Sequence, residues 1–484
     1  MKYSTVQNFI NNQFVDSNQP TLNVFSPITG EKISTLPLSG QKELEAAVVA
    51  AENAFPSWSG LTLKERVQVF FKYRTLLEEN MDELAKLVQL ENGKTYGESK
   101  AEVMKSIELC EFAVSMPQIV TNEIQEVSRG VECRIERKPL GVVACITPFN
   151  FPNMVPHWTV PNAIVLGNCV ILKPSELVPL SAMRMAELLK EAGLPDGVFN
   201  VVNGGKEIVE AICDHPRIKA TSFVGSTKVA KIVYKRASSN LQRCVALGGA
   251  KNHLIVLPDA HLTMTANDVV ASMSGCAGQR CMAASVMVGV DAVQPIIDKM
   301  VEAAQSIIPG ENLGSVISKE AKERIEGYIT EAEAQGAKIL VDGRNATVSG
   351  KENGYYVGPT IIDFVKPGMK VATEEIFGPV ISIIRAKDLE EAIGIENSSN
   401  YGNAAAVFTQ SGGLAKRVME KASAGMIGVN IGVPVPREPF SFGGWNESKF
   451  GVGDITGRSS IEFFTQNKKT TTKWNPEDKT NWMS

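Results

Sequence analysis

The stretch GVVACITPFNFP, residues 141–152, begins a repeating pattern of strands and helices. Its apolar run over 141–146 predicts a buried strand, and the polar turn that follows ends that strand. Three similar runs come next, each before a helix-like segment: CVILK at 169–173, GVFNVV at 197–202 and ATSFV at 220–224. This alternation predicts a parallel sheet with helices on both faces.

A second series of short apolar runs starts near residue 253 and predicts a second α/β domain. Its runs are HLIVL (253–257), VMVGV (286–290), AKILV (337–341), VISII (380–384), AAVFT (405–409) and MIGVN (426–430). We expect the boundary between the two series near Gly248 and Gly249. Residues 42–116 instead carry apolar side chains at helical spacing, which predicts a helical N-terminal region.

Two segments fit neither series. Residues 122–140 alternate around Arg129-Gly130, which predicts a hairpin, and IEFFTQNKKTTTKW at 461–474 predicts an exposed strand. Because uncovered strand edges invite aggregation, we expect both segments to pair across a subunit interface.

The composition is that of a globular protein with scattered charge. A chain of 484 residues, 44% of them hydrophobic, predicts a globular protein of two or three domains. Its formal net charge of −4 and its scattered Lys and Arg residues exclude a basic face that would bind nucleic acid or an anionic membrane. No apolar run has the length of a signal peptide or a membrane span, so we expect a cytoplasmic protein. The eight cysteines form no CxxC pair and are expected to be reduced; the four histidines do not support a metal site.

Two motifs lie at the predicted carboxyl ends of strands, where open α/β sheets bind ligands. In TPFNFP at 147–152, Asn150 offers an amide donor; the alternative is a proline-rich turn in which Asn150 satisfies backbone groups. In LKPSE at 172–176, Lys173 and Glu176 could hold two ribose hydroxyls, with a solvated ion pair as the alternative.

Two further motifs combine glycine with reactive or polar residues. FVGST at 223–227 opens a helix whose free amides and dipole could meet a pyrophosphate, although Ala230 replaces the last glycine of GxGxxG and an ordinary helix cap is the alternative. AGQRCMA at 277–283 places Cys281 beside Arg280, a cation that favours the thiolate; the alternative is a buried structural cysteine.

Together these motifs resemble those of the aldehyde dehydrogenase superfamily, and EEIFGP at 374–379 and YVGPT at 356–360 extend the resemblance. It implies an α/β aldehyde dehydrogenase fold with a Rossmann-like NAD domain, an α/β catalytic domain and a small β oligomerisation element, in a homodimer or homotetramer. The three parts are expected at residues 1–121 plus 141–248 (NAD domain), 249–440 (catalytic domain) and 122–140 plus 460–484 (oligomerisation).

The resemblance also implies a mechanism. Cys281 attacks an aldehyde carbonyl as a thiolate, the Asn150 side chain and the Cys281 amide hold the oxyanion, and hydride leaves to NAD, giving a thioester. Glu176 would repel a 2′-phosphate, which favours NAD over NADP. The positions that the resemblance assigns to cofactor contact are Thr147, Phe149, Lys173, Glu176, Leu177, Gly225, Ser226, Gly248, Glu375 and Phe377. At position 177 this chain has leucine, whereas arginine is common in the branch of the family described next.

One departure indicates a branch of the family. Hydrolytic members carry a water-activating glutamate where this chain has Ala246, so a thiol such as coenzyme A becomes the natural acyl acceptor. Four short motifs resemble those of the methylmalonate-semialdehyde dehydrogenase branch. They are AKNH at 250–253, GQRCMA at 278–283, GVN at 428–430 and VPVP at 433–436. In that branch the thioester loses carbon dioxide before it acylates CoA, giving propionyl-CoA or acetyl-CoA in valine or myo-inositol catabolism.

A carboxylated substrate needs a cation near the nucleophile, and Arg280 is the candidate, with a structural or interface arginine as the alternative. The branch's second arginine is matched by Lys105, and Arg437, in a loop expected to line the substrate tunnel, is the other candidate. Two rival interpretations stay open. One is a non-acylating aldehyde or succinate-semialdehyde dehydrogenase that releases a free acid; the other is a catalytically silent family member, against which retention of Cys281 and Asn150 argues.

Overall fold

The computed structural model describes residues 3–474. Its strands are β1 Asn8–Ile10, β2 Gln13–Val15, β3 Thr21–Phe25, β4 Lys32–Pro37, β5 Glu123–Ser128, β6 Val131–Pro139, β7 Val142–Ile146, β8 Cys169–Lys173, β9 Phe199–Val201, β10 Ile218–Val224, β11 Arg243–Leu247, β12 Asn252–Val256, β13 Ala284–Val290, β14 Lys338–Val341, β15 Thr360–Asp363, β16 Val380–Ala386, β17 Tyr401–Gly402, β18 Ala404–Phe408, β19 Met426–Val429, β20 Trp445–Asn446, β21 Lys449–Phe450 and β22 Thr465–Lys473.

The helices are α1 Gln41–Gly60, α2 Leu63–Glu79, α3 Met81–Asn92, α4 Tyr96–Val114, α5 Met116–Ile119, α6 Met154–Val165, α7 Leu180–Glu191, α8 Lys206–Asp214, α9 Thr227–Ser239, α10 Leu262–Ser274, α11 Gln294–Gln305, α12 Lys319–Ala334, α13 Lys370–Thr373, α14 Leu389–Asn397, α15 Gly412–Lys421 and α16 Ser459–Phe464. The helical N-terminal region is confirmed by α1 to α4. Two of these helices begin with a capping box, in which Thr62 pairs with Glu65 and Thr95 with Glu98.

The first sheet has the order β2-β1-β9-β8-β7-β10-β11-β21, and its five strands from β9 to β11 run parallel. The predicted parallel sheet is therefore confirmed, with short antiparallel strands added at both edges. Those edge strands carry weak apolar alternation, and the sequence did not predict them. Helices α1 to α4 and α6 pack a large core against this sheet, where Trp58 donates a 2.9 Å hydrogen bond to the Ile164 carbonyl.

The second sheet has the order β14-β15-β16-β13-β12-β18-β19, and all six predicted runs of the second series form strands in it. Side chains alternate between two cores, as the two-residue period of a strand requires. In β12, Leu254 and Val256 enter one core while Ile255 enters the other. Strand β11 ends at Leu247 in the first sheet, and β12 begins at Asn252 in the second.

A third sheet, β22-β6-β5, stands apart from the two large ones. The predicted hairpin is confirmed, since β5 and β6 pair antiparallel. The predicted C-terminal strand is wrong over residues 461–464, which form the end of α16 because Phe463 and Phe464 are buried in the first core. From Thr465 the chain is a strand, and β22 pairs with β6 over nine residues of the same chain.

The two segments that were expected at a subunit interface therefore pair with each other within one chain, through β6 and β22. This pairing covers one edge of the hairpin and one edge of β22. The remaining edges belong to β5, whose six residues are all exposed, and to the outer side of β22. Residues 1–2 of the predicted NAD domain and 475–484 of the predicted oligomerisation segment lie outside the described residues. Within residues 3–474, no helix is long and apolar enough to cross a bilayer.

Candidate active site

The first sheet brings several predicted cofactor residues to one edge, here called the strand-end edge. The parallel register places Ile146 beside Lys173 and Phe223, and Val224 beside Leu247, so these strands end at one level. Thr147 follows β7 directly, and its backbone amide donates a 3.0 Å hydrogen bond to the Lys173 carbonyl. The edge therefore collects Thr147, Lys173, Glu176, Leu177, Gly225, Ser226 and Gly248, as their positions in the motifs predicted.

Lys173 and Glu176 form an ion pair of 2.8 Å between Nζ and Oε2. Lys173 is buried and only 4% exposed, whereas the Glu176 carboxylate is partly open to solvent, so the pair is not the fully solvated one that was the alternative. Burial raises the pKa of Glu176, but the charge and hydrogen bond of Lys173 outweigh it and leave that pKa below its usual value. Leu177 lies exposed beside this pair.

The turn before α9 uses only some of its polar groups in hydrogen bonds within the described residues. Ser226 is the N-cap residue, yet its side chain makes no capping hydrogen bond. A Cβ at Gly225 would lie 2.5 Å from the Phe223 ring, and one at Gly248 would lie 2.8 Å from the Thr227 hydroxyl. Both positions thus leave little room for a side chain, and the first amides of α9 have no hydrogen-bond partner within residues 3–474.

Two aromatic residues that the resemblance assigned to the cofactor meet in space. The rings of Phe149 and Phe377 pack edge to face, with centroids 5.8 Å apart at 83°. Phe149 follows β7 of the first sheet, whereas Phe377 precedes β16 of the second. This contact joins the strand-end edge to the region around Cys281.

Cys281 follows a tight turn in left-handed backbone conformation. Cys276, Ala277 and Gly278 have φ of 54°, 52° and 68°, which is costly for the two residues that are not glycine. The Cys276 amide donates a 2.6 Å hydrogen bond to Glu98 Oε1, and a Cβ at Gly278 would collide with the backbone of Gly378. The turn is therefore fixed at both ends and pressed against the segment that carries Glu375.

Two asparagines that the sequence motifs did not assign to the site hold the backbone of the nucleophile. The Cys281 carbonyl accepts hydrogen bonds from Asn252 Nδ2 at 2.7 Å and from Asn403 Nδ2 at 2.9 Å. Asn252 lies within the quoted AKNH motif, which was the available signal. Asn403 follows β17 far along the chain, and its neighbourhood gives no motif.

Asn150 is buried beside the nucleophile loop. Its Nδ2 donates a 3.1 Å hydrogen bond to the carbonyl of Gln279, two residues before Cys281. The proline-rich turn is thus real and Asn150 does bind a backbone group, as the alternative had it. That group belongs to the loop that carries the nucleophile, however, so the hydrogen bond joins the Asn150 turn to this loop.

A buried ion pair supports the Asn150 turn from behind. Lys94 Nζ and Glu102 Oε2 are 2.6 Å apart with side chains 2% and 0% exposed, and Lys94 also binds the Asn150 carbonyl. Glu102 Oε1 accepts the backbone amides of Asn153 and Met154 at 2.8 and 3.0 Å. The sequence did not predict this pair, since a lysine and a glutamate eight residues apart carry no motif.

The Cys281 pocket is lined by Cys281, Arg280, Asn252, Gly278, Glu375 and Phe377, among others. It is narrow, with about 10 Å³ of free volume. The Arg280 guanidinium donates hydrogen bonds of 2.9 Å to the carbonyls of Ala271 and Ser272 at the end of α10. A cation there is favoured by the helix dipole.

The pKa of the Cys281 thiol corrects one expectation. Burial and the nearby Glu375 carboxylate raise it to about 12, while Arg280 lowers it. Arg280 thus acts in the predicted direction, but desolvation is the larger effect, and the resting thiol is protonated at neutral pH.

Two further ionisable groups, Glu375 in the pocket lining and Lys251, have pKa values shifted by burial. Glu375 accepts a 2.9 Å hydrogen bond from the Ala250 amide, and burial raises its pKa to about 7. Lys251 is 2% exposed, and its Nζ has no hydrogen-bond partner within residues 3–474. Burial lowers the pKa of Lys251 to about 7, against the effect of Glu375 and Glu374.

The other predicted substrate cations lie in a separate cavity of about 430 Å³, the Lys105 cavity, lined by Lys105, Glu108, Arg437, Glu438 and Arg458, among others. Lys105 Nζ is 2.7 Å from Glu438 and 3.0 Å from Glu108, so its charge is already paired. No ion pair of Arg437 is seen in the described part of the chain. Cys281 does not line this cavity.

All eight cysteines are free, as predicted; Cys281 and Cys133 are half-buried and the other six are buried. No group of three or more potential metal ligands is found among residues 3–474.

Comparison with known proteins agrees with this geometry. The aldehyde dehydrogenase family model matches residues 14–470. Malonate-semialdehyde dehydrogenase 2 of Bacillus thuringiensis (strain Al Hakam) is 45% identical, with 97% of this chain and 98% of the relative covered. The enzyme of the same name from Geobacillus thermodenitrificans is 46% identical, over 97% and 99%.

Two solved structures are similar throughout. One, from Oceanimonas doudoroffii, is a methylmalonate-semialdehyde dehydrogenase with a TM-score of 0.96 and 43% identity, over 98% of this chain and 99% of that one. The other, from Sinorhizobium meliloti 1021, is described as a methylmalonate-semialdehyde dehydrogenase complexed with NAD, with a TM-score of 0.96 and 42% identity, over 98% of both chains. The fold and the family that the motifs resembled are thereby confirmed: the chain belongs to the aldehyde dehydrogenase family.

Proposed function

We propose that this protein is an NAD-dependent dehydrogenase of methylmalonate semialdehyde and malonate semialdehyde that transfers the acyl group to coenzyme A. The observation that carries the proposal is the Cys281 pocket, in which a cysteine and an arginine lie side by side. A thiol can form a covalent intermediate with an aldehyde, and a guanidinium can bind the carboxylate of the substrate. The names of the relatives and of the two similar structures support this substrate class.

The strand-end edge offers a fit for NAD. Among the described residues, the Ser226 hydroxyl makes no capping hydrogen bond and the first amides of α9 have no partner, so these groups can hold a pyrophosphate. Glu176 stays ionised beside Lys173, so it can bind a ribose and repel a 2′-phosphate. When bound, NAD accepts the hydride that the substrate loses. The remaining proposed contacts are Thr147, Phe149, Leu177, Gly225, Gly248, Glu375 and Phe377.

Around the reacting carbon, the chain supplies a nucleophile and donors for developing charge. Cys281 Sγ attacks the aldehyde carbonyl once its proton has been removed, because the thiol with a pKa of about 12 is a weak nucleophile. The Asn150 amide, buried beside the loop, and the Cys281 backbone amide are the proposed donors to the oxyanion. Loss of hydride then leaves a thioester on Cys281.

The acceptor of the acyl group follows from position 246. Ala246 is buried in β11, so no carboxylate activates water from that position. A thiol is a stronger nucleophile than water and attacks the thioester directly. Before that step, the thioester carbonyl can accept the electrons that decarboxylation of the β-carboxylate releases.

Arg280 is the proposed partner of the substrate carboxylate. Of the two candidates for a second cation, the Lys105 ammonium is already held by Glu108 and Glu438, and neither Lys105 nor Arg437 lines the Cys281 pocket. We also propose that the exposed third sheet joins copies of the chain into a homodimer or homotetramer, since two of its edges are uncovered. A cytoplasmic location remains the prediction from the sequence.

The direct test is NADH formation from methylmalonate semialdehyde by the purified protein, with and without CoA, with the acyl product identified by mass spectrometry. We expect propionyl-CoA and carbon dioxide, formed only when CoA is present. Free acid at an unchanged rate without CoA would instead assign the chain to the non-acylating dehydrogenases. Succinate semialdehyde in the same assay measures the preference between the two substrate classes.

A further inference from the structure

We propose that Glu375 is the general base that removes the proton from the acceptor thiol, and that Lys251 is a positioning residue that keeps the Glu375 carboxylate charged. This inference rests on the proposed acyl transfer to a thiol. Hydrolytic relatives use a glutamate at the position of Ala246 to take a proton from water; here Glu375 would take the proton from the acceptor thiol.

The first support is the location of Glu375. Within the described residues, it is the one carboxylate that lines the Cys281 pocket. Its charge acts on the Cys281 thiol, where it is the second largest cause of the raised pKa. A thiol that reaches an acyl group on Cys281 through this pocket meets a lining that includes Glu375.

The second support is the way the carboxylate is held. Oε1 accepts the Ala250 amide at 2.9 Å, which fixes its orientation. Oε2 lies so close to Gly249 that a Cβ there would collide with it, and no hydrogen bond to Oε2 is seen within residues 3–474. One oxygen is thus anchored while the other can accept a proton.

The third support is the buried ammonium of Lys251. It is 2% exposed and without a hydrogen-bond partner in the described part of the chain, which is an expensive state for a lysine. The carboxylates that act electrostatically on it are Glu375 and Glu374. The buried His253 also interacts with it, since burial and then Lys251 lower the pKa of His253. Since Glu374 is exposed and bonded to the Tyr328 hydroxyl, Glu375 is the enclosed charge that Lys251 can stabilise.

Other charged groups around Glu375 act in both directions. Arg324 on α12, whose Nη1 donates a 2.6 Å hydrogen bond to the Ile376 carbonyl, lowers the pKa of Glu375 together with Lys251. Tyr401 and Cys281 also face it, and the carboxylate raises the pKa of both. Against burial, the Ala250 hydrogen bond and then these cations leave the pKa of Glu375 at about 7, the range in which a base is both ionised and able to take a proton.

The step balances without another reactant. The thiol proton moves to Glu375 Oε2 while the thiolate sulfur bonds to the acyl carbon, giving a tetrahedral intermediate. Collapse breaks the bond to Cys281 Sγ and releases the new thioester. The proton on Glu375 passes to the departing sulfur, which is the stronger base, since the Cys281 thiol has the higher pKa.

The experiment isolates this half of the reaction from oxidation. The protein is treated with the activated ester p-nitrophenyl acetate in the absence of NAD, and mass spectrometry of the peptides checks that Cys281 carries the acetyl group. The acetyl enzyme, freed of reagent, is mixed with one of three thiols. These are coenzyme A, 2-mercaptoethanol and the more acidic trifluoroethanethiol. Loss of the acetyl group is followed by mass spectrometry in the wild type, in Glu375→Gln and in Glu374→Gln, the matched control.

For Glu375→Gln we expect about a 100-fold slower transfer to 2-mercaptoethanol and coenzyme A, and less than about a 10-fold loss with trifluoroethanethiol, which ionises unaided. Glu374→Gln should behave as the wild type. Equal losses with all three thiols, or none, would overturn the role as a base. Failure of the wild type to transfer to any thiol would instead refute the proposed acyl transfer itself.

A second variant addresses Lys251 and does not depend on the folding of Glu375→Gln. Removing the ammonium in Lys251→Met should raise the pKa of Glu375, so its basic form appears at higher pH. The profile of acetyl transfer to 2-mercaptoethanol should then move upward by at least about one pH unit. A profile that stays in place would show that Lys251 does not act on Glu375.

Discussion

The strand-end edge and the Cys281 pocket face each other across the contact of Phe149 and Phe377, yet they are built differently. On the edge, the predicted cofactor residues lie at or just after the ends of parallel strands whose register places those ends at one level. In the pocket, they stand on loops held by a left-handed turn and by hydrogen bonds from distant asparagines. Sheet geometry suffices for the first, whereas the second depends on many separate contacts.

This contrast indicates where substitutions should act. A change on the edge should alter the affinity for the cofactor and leave the chemistry at Cys281 intact. A change in or behind the pocket should alter the chemistry itself or the stability of the loops that carry it.

Cys281→Ala should reduce NADH formation by at least about 10³-fold, because no covalent intermediate can form. Cys133→Ser is the matched control, since Cys133 is the other half-buried cysteine of the described residues. Binding of NAD, measured by calorimetry, should be unchanged in Cys281→Ala. Loss of NAD binding together with activity would mean that the pocket and the edge are not separable.

Lys94→Met should lower the free energy of unfolding by about 3–5 kcal/mol, because it leaves Glu102 buried without a counter-ion. The double variant Lys94→Met/Glu102→Gln removes that charge but keeps an oxygen for the Asn153 and Met154 amides, and should recover much of the loss. Urea unfolding of both variants measures this. No recovery in the double variant would show that shape, not charge, makes the pair necessary.

Arg280→Leu should reduce kcat/KM for methylmalonate semialdehyde about 10–100-fold more than for propanal, which has no carboxylate. Arg280→Lys keeps the charge and loses the planar fork, so its loss should be smaller. Steady-state kinetics with both aldehydes gives the ratio. Equal losses on both would return Arg280 to a structural role at the end of α10.

Glu176→Gln should raise the preference for NADP relative to NAD by about 10-fold, because the charge that repels a 2′-phosphate is removed. Glu191→Gln, which changes an exposed carboxylate at the end of α7, is the control. The ratio of kcat/KM for the two cofactors measures the change. A shift in aldehyde preference with Glu176→Gln would contradict the separation of edge and pocket.

The same contrast explains how much the sequence could predict. The alternation of apolar runs and turns is a local signal, so most strands of both sheets, and with them Lys173, Glu176 and Ser226, were found where they lie. The roles of these residues stay predictions, as do the domain boundaries. Strand ends are the part of an α/β protein in which local pattern and spatial position coincide.

The support of the pocket was not predictable in this way. Asn403 reaches the Cys281 carbonyl across 122 residues of chain, and Lys94 reaches the Asn150 turn across 56. The left-handed Cys276 and Ala277 follow no propensity, since neither residue favours that conformation.

The wrong prediction of a strand over residues 461–464 has a related cause. Apolar side chains in so short a run suit a strand or a helix equally. Burial of Phe463 and Phe464 in the core of the first sheet favours the helix, and that contact is not visible in the local sequence.

The pairing of β6 with β22 has a consequence for synthesis of the chain. Thr465 pairs with Pro139 and Lys473 with Val131, so more than three hundred residues separate the partners. At about 5–20 residues per second, the hairpin emerges from the ribosome on the order of tens of seconds before its third strand exists. During that interval Val131–Pro139 has a free edge, which must be kept from pairing with the same strand of a neighbouring nascent chain.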